Sequence, residues 1–215
     1  MDAVLTAAVA LLDEAGGSAL TFRALAARLG TGVGTIYWYV ANKDELLDRA
    51  TDHVIGAVLA TLEEQRDSDD PIADLRAMAI VLFDAIVDRP WLSGYFMRNT
   101  NVQGNSLRLY EKLGRQTLRL DLTPRQRFHA VSAITGVVVG TATDLGVEVP
   151  QEILDGAVDR DAFLARFAET WRSLDATEFP FVHQIVDEFA GHEDRDQFLA
   201  ALDLTLAGLR LQAGS

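Results

Sequence analysis

The segment Thr21 to Leu47, TFRALAARLGTGVGTIYWYVANKDELL, restricts the fold more than any other stretch of the chain. Thr21 is placed to cap a helix, because its hydroxyl can accept from the backbone N–H groups that a helix start leaves unpaired. Leu25, Ala26 and Leu29 follow at helical spacing and make one short apolar face. Gly30 stands where that helix must end, and glycine tolerates the left-handed backbone that ends it. A second short helix, Gly34 to Val40, turns Ile36 and Val40 inward. Small Ala26 lets the two helices cross closely, and Ile36 fills the crossing. Asn42 caps a third helix, with Asp44 and Glu45 in its first turn to suit the helix dipole. This is a helix-turn-helix, whose second helix fits a DNA major groove.

The inward residues decide which side chains are left for DNA. Thr31, Val33, Thr35 and Tyr37 fall on the other side or at the leading end, where side chains reach base edges. Trp38 is expected against the edge of the core. Thr21, Tyr39 and Lys43 suit phosphates. Arg23, on the first helix of the pair, reaches either a guanine edge or a phosphate, and Arg28 is expected on the same DNA side.

With those residues read, TFRALAARLG followed by VGTIYWYVANKDELL resembles the DNA-binding motif of the TetR (tetracycline repressor) family of transcriptional regulators. The resemblance implies an all-α homodimer with two parts. Residues 1–46 would be a three-helix DNA-binding head, and 47–215 an effector-binding and dimerisation body. It also implies a pseudo-palindromic double-stranded operator, a small-molecule effector and, most often, repression. Many relatives carry a basic arm before the first helix; this chain begins almost at that helix, so an arm contact is expected to be missing.

Charge runs against a simple DNA-binding reading. The formal net charge is −13, and residues 1–50 hold four Lys and Arg against six Asp and Glu. Nucleic-acid binders are usually basic, so few phosphate contacts are expected. The chain has no cysteine, which removes disulfides, thiol nucleophiles and cysteine metal sites. No apolar run is read as long enough to span a membrane, and the N-terminus lacks the basic start of a signal peptide, so a cytoplasmic protein is expected.

The body reads as helix throughout. Helix 1, Asp2 to Ala15, carries Val4, Ala8, Leu11 and Leu12 inward and stops at Gly16-Gly17. The helix begun at Lys43 runs to Gln65, too long to belong to the head alone, and Arg66 to Pro71 marks its end. Ile72–Val87 and a short aromatic-rich helix or turn, Trp91–Met97, follow. Asn105–Leu120 is expected to turn Leu107, Tyr110, Leu113, Thr117 and Leu118 to one side. The next helix, to Leu145, contains AVSAITGVVVGTAT, small and apolar all round, which demands burial. After further helices at 162–174 and from Pro180, Asp196–Leu211 closes the chain.

The closing segment FPFVHQIVDEFAGHEDRDQFLAALDLTLAGLR is similar to that of the tetracycline-repressor type of C-terminal domain. That resemblance assigns dimerisation to 126–145 and 196–211; a monomer with two ordinary core helices is the other reading. The expected effector lining is Met78, Leu82, Phe83, Trp91, Phe96, Leu113, Thr117, His129, Ser132, Ala133 and Gly136, with core packing the competing reading for each. Compared with the tetracycline repressor, Tyr95 falls near the metal-ligand histidine, Leu59 at a drug-contacting histidine and Met78 at a polar position. The resemblance so compared implies a more hydrophobic effector, with no metal site and no cofactor.

No enzyme is expected. His53, His129, His183 and His192 are scattered, and His129 and Asp144 lie about four turns apart on one helix. His192-Glu193-Asp194 is a metal-capable row, yet no second cluster has ligand spacing. Two rivals stay open: a helical dimer acting through protein contacts, and a DNA-binding regulator without a ligand.

Overall fold

The computed structural model describes residues 1–96, 104–146 and 151–214, except for the side chains of Tyr95, Phe96, Gly146, Gln151 and Leu154. Every regular element among them is a helix. In order they are α1 (Asp2–Ala19), α2 (Phe22–Arg28), α3 (Val33–Tyr37), α4 (Lys43–Glu63), α5 (Pro71–Val87), α6 (Pro90–Phe96), α7 (Gly104–Leu118), α8 (Pro124–Gly146), α9 (Gln151–Leu154), α10 (Arg160–Arg172), α11 (Pro180–Ala190) and α12 (Asp194–Ala213). The chain forms two compact units, Met1–Gly146 with Leu202–Ser215, and Val147–Ala201.

The head is built on a core running from Val4 to Ala50. Val4, Ala8 and Leu12 of α1, Leu25 and Ala26 of α2, Ile36 of α3, and Leu46, Leu47 and Ala50 of α4 are buried together. The expected stop in α1 is a bend rather than an end: Ala15 and Gly16 leave helical geometry, Gly16 at φ +69, and one more turn follows to Ala19. Trp91 of α6 packs against this head core, and its indole N–H donates to Asp13 of α1 at 2.7 Å.

α4 buries Leu46, Leu47, Ala50, Val54, Val58 and Leu62 along its length, as the spacing predicts. α5 packs against α7 and α8. Asp70 caps it, accepting from the N–H groups of Ile72 and Ala73, and also holds Arg210. The inner face of α7 departs from expectation. Leu109, Leu113, Gln116 and Thr117 are buried, whereas Leu107, Tyr110 and Leu118 are exposed. The reason is Gln116, a polar residue in the inner stripe. Its amide donates to Asp67 at 3.0 Å and accepts from Arg119 at 2.6 Å, so burial leaves it satisfied.

α8 is not buried all round either. Ala130, Val131, Ile134, Val138, Val139 and Ala142 face inward, while Phe128, His129, Ser132, Ala133, Gly136 and Gly140 are exposed. By length and composition alone, Pro124–Leu145 contains a window apolar enough to cross a membrane, a property it shares with the core helices of soluble proteins. Arg125, Arg127 and Asp144 near its ends hide that length from a search for unbroken apolar runs.

In the second unit, Asp159 caps α10 and Arg160 grips the α12 start through the His192 carbonyl and the Asp194 carboxylate. His192 holds the Phe189 carbonyl, so the His192–Asp194 row closes a turn.

Candidate nucleic-acid interface

α2 is closed at both ends by its own sequence. Thr21 Oγ1 accepts from the Ala24 N–H at 3.1 Å. At the other end Gly30, at φ +63, donates to the Ala27 carbonyl, and Thr31 donates to the Ala26 carbonyl. This paired closure satisfies carbonyls that a helix end would otherwise leave open. It also turns the chain so sharply that α3 starts three residues later.

α3 is one and a half turns long and is held by Ile36, which is fully buried, and by Val40 just beyond it. Gly32 occupies its N-cap with no side-chain cap. Thr31 instead donates its hydroxyl to Thr35 Oγ1 at 3.0 Å. Tyr37 meets Phe22 edge to face at 4.8 Å, which fixes the phenol ring against α2. Val33, Thr35, Tyr37 and Tyr39 are all exposed, as are Thr21 and Arg23, and Thr31 is half-buried.

Three expectations change here. Trp38 does not lie against the core: it is 90% exposed, beside Tyr37 at 59%. On a helix two residues are about 200° apart, so burying Ile36 sends Trp38 outward. Arg28, expected on the DNA side, is engaged within the head. Its guanidinium makes a two-pronged pair with Glu14 of α1, both bonds 2.6 Å. That pair raises the arginine above its ordinary pKa, and Arg28 holds the Glu14 carboxyl below its own. Lys43, though exposed, reaches back across α1 and donates to the Gly17 carbonyl at 2.6 Å.

The start of α4 fixes the far side of the motif. Asn42 Oδ1 accepts from the Glu45 N–H, and Glu45 returns a carboxylate oxygen to the Ala41 N–H at 2.7 Å. That backbone bond, followed by Arg49, holds the Glu45 carboxyl below its ordinary range.

The effector candidates do not gather in one place. Met78, Leu82 and Phe83 of α5 and Leu113 and Thr117 of α7 are buried, and Thr117 spends its hydroxyl on the Gly114 carbonyl at 2.7 Å. His129, Ser132, Ala133 and Gly136 are on the exposed face of α8. Trp91 is turned to the head, and the Phe96 side chain lies outside the described residues, as does that of Tyr95. None of these residues lines either of two surface grooves. One, about 500 Å³, runs between Leu59, Glu63 and Asp67 and the α7 residues Leu107, Arg108, Glu111 and Lys112. The other, about 420 Å³, lies among Val9, His53, Val54, Val81, Asp84 and Arg89.

Comparison with known proteins agrees with this geometry along the whole chain. The family of "Bacterial regulatory proteins, tetR family" matches residues 4–50, and the "Tetracyclin repressor-like, C-terminal domain" matches 55–213. The HTH-type transcriptional repressor DrrR1 of Streptomyces coeruleorubidus is 28% identical over 219 residues, covering 98% of this chain and 77% of that protein. The structure of the transcriptional regulator SCO7222, a TetR from Streptomyces coelicolor, is 36% identical with a TM-score of 0.83, covering 99% of this chain and 98% of that one. ActR of Streptomyces coelicolor, in complex with actinorhodin, shares the fold at a TM-score of 0.81 and 22% identity, covering 100% and 98%. A head built as a helix-turn-helix, an all-helical body and two family matches that together span residues 4–213 lead to one assignment: the chain belongs to the TetR family of transcriptional regulators.

Proposed function

We propose that the chain works as a homodimeric repressor that holds a pseudo-palindromic operator and lets go when a small, mostly hydrophobic effector binds. Residues 1–46 read DNA, residues 47–215 hold the effector and the partner, and the protein acts in the cytoplasm where the DNA is. One observation carries the reading: α3 is anchored by Ile36 and turns Val33, Thr35, Tyr37 and Trp38 outward together. Apolar and hydroxyl groups of that kind suit thymine methyls and base edges. Thr31 belongs with them at the leading end. Arg23, Thr21 and Tyr39 stand at the flanks for phosphates, and Lys43 joins them when it leaves Gly17.

The exposed face of α8 supports the dimer. Phe128, Ala133, Gly136 and Gly140 line it, and α12 adds Leu204 and Leu211, 76% and 77% exposed. Large apolar side chains left in water on both helices, with glycines on α8 that permit close approach, suit a helix pair from a second copy. We therefore move His129, Ser132, Ala133 and Gly136 from the effector lining to this face, and keep Met78, Leu82, Phe83, Leu113 and Thr117 as the lining. The complex of ActR with actinorhodin supports an effector for this fold. The burial of those five residues favours a second reading, a regulator whose body is only a dimer scaffold.

Fluorescence anisotropy on DNA from upstream of the coding region tests both. Saturable binding by two protomers per site, reversed by a compound from an effector screen, supports the first reading. Binding that no compound reverses supports the second. A folded dimer that binds nothing at low salt refutes both and favours a dimer that acts through protein contacts.

A further inference from the structure

We infer that Asp52 is a positioning residue for DNA recognition: by capping α7 from α4, it fixes the tilt of α4 and so the half-site spacing that two heads accept. The inference rests on the reading of paired heads given above.

The opening N–H groups of a helix need acceptors. At the start of α7 the acceptor comes from another helix. Asp52 Oδ1 accepts from the Asn105 N–H at 3.0 Å, from the Ser106 N–H at 3.0 Å and from the Ser106 hydroxyl at 3.4 Å. Asn105 answers with its side-chain amide, which donates to the Asp52 backbone carbonyl at 3.0 Å. A carboxylate at a helix N-terminus is favoured by the dipole, and bonds from N–H groups to a charged oxygen are stronger than neutral ones.

Gly56, one turn further along α4, makes this joint close. A Cβ added there would stand 2.8 Å from Asn105 Nδ2 and 3.5 Å from its Cγ. The Asn105 amide therefore rests on bare backbone of α4. At this level of α4 the two helices are joined by reciprocal bonds and by direct contact.

That level matters for the head. Asp52 lies two residues beyond Ala50, the last residue of the head core. The joint sits where α4 leaves the head and enters the body. From Asp52 back to Lys43 is about 14 Å of helix. A tilt of about 10° pivoted at the joint moves the Lys43 end by about 2.4 Å. Two heads moving apart in this way change their separation by about 5 Å, more than the roughly 3.4 Å between successive base pairs. A loosened joint should thus let the dimer accept operators of the wrong length. A cap that served only to start α7 would alter thermal stability and leave spacing preference alone.

The test uses the full-length dimer and fluorescein-labelled duplexes of its footprinted upstream site, with one base pair inserted at, or removed from, the centre. Affinity is read by anisotropy, and fold by circular dichroism. Wild type should lose at least tenfold in affinity on either change. In Asp52→Ala the loss should shrink to threefold or less. Asp52→Asn keeps an acceptor oxygen and should retain the wild-type preference. If Asp52→Ala does not fold, Asn105→Ala removes the returning bond and should shrink the loss to an intermediate value. A folded Asp52→Ala or Asn105→Ala dimer with the full tenfold discrimination overturns the inference alone. A wild-type dimer that binds no site overturns the reading of paired heads, and this inference with it.

Discussion

Replacing Trp38 with alanine should cost the protein DNA affinity without costing it stability. The indole is 90% exposed and its neighbour Ile36 holds α3 without it. Substitutions at such surface sites usually move stability by less than about 0.5 kcal/mol. On DNA the same ring has much to lose. If about half of its roughly 200 Å² is covered, at about 25 cal/mol per Å², the contact is worth about 2.5 kcal/mol per head. Ordering the side chain takes back about 1 kcal/mol. Two heads then lose about 3 kcal/mol, or about 150-fold in dimer affinity. Anisotropy titrations of wild type and Trp38→Ala at one salt concentration measure the change, and thermal melts by circular dichroism check the fold. The slope of affinity against salt should stay the same, because no cation has been removed. An affinity within threefold of wild type, with an unchanged melt, would refute the placement of Trp38 in the groove. A melt lowered by many degrees would refute the claim that Ile36 and Val40 anchor α3 without the indole.

Other parts of the structure make equally direct predictions. Gly30→Ala meets open space but must hold φ at +63, so it should cost about 1–2 kcal/mol in a denaturant titration; no loss would mean that the α2–α3 turn relaxes freely. Leu204→Glu with Leu211→Glu sets charges on the exposed α12 face and should convert the dimer to a monomer by sedimentation velocity, whereas an intact dimer would place the interface elsewhere. Acid should destabilise the chain. Glu14 is held below its ordinary 4.5 by hydrogen bonds from Arg28, Glu45 first by the Ala41 N–H, and Asp70 and Asp203 below 3.8 first by hydrogen bonds from Arg210 and Arg76. A folded pKa below the unfolded one gives stability that is complete above the unfolded value and lost as pH falls through the folded one. Melting temperature should therefore fall below about pH 4.5, and a rise there would count against these pairings.

What could be read before any coordinates follows a physical rule. Thr21, Gly30, Ile36 and Asn42 act through bonds and contacts within a few residues, and local chemistry names their roles. Trp38 shows the limit, since a large aromatic residue reads as the edge of the core although the buried position of Ile36 already turns it outward. The inner face of α7 was hidden because Gln116 is buried by partners at Asp67 and Arg119, and a hydrophobic pattern cannot register a satisfied amide. The outer face of α8 was hidden for the opposite reason: apolar residues stand on both sides of that helix, so hydropathy offers no contrast. Arg28 pairs with Glu14 and Lys43 with the Gly17 carbonyl across gaps of 14 and 26 residues. Long-range pairs of that kind depend on how α1 crosses α2 and α4, which no local pattern contains.

Those pairs bear on how so acidic a chain can hold DNA. Among residues 1–50, Arg28 is held by Glu14, Arg49 by Glu45 and Lys43 by the Gly17 carbonyl, and Arg23 alone has no such tie. Each cation that meets a phosphate contributes about −0.9 to the slope of log affinity against log salt. Arg23 from each of two heads gives a slope of about −2; adding Lys43, if DNA draws it from Gly17, gives about −4. Affinity must then come mainly from the apolar and hydroxyl surface of Val33, Thr35, Tyr37 and Trp38, whose burial should appear as a negative heat-capacity change on binding. A salt series by anisotropy, paired with calorimetry at several temperatures, measures both quantities. A slope steeper than about −6 would mean that cations outside the head bear the phosphates. A slope near −2 with a large negative heat capacity would show that the head reads DNA by shape and apolar contact, and that Lys43 remains with Gly17 in the complex.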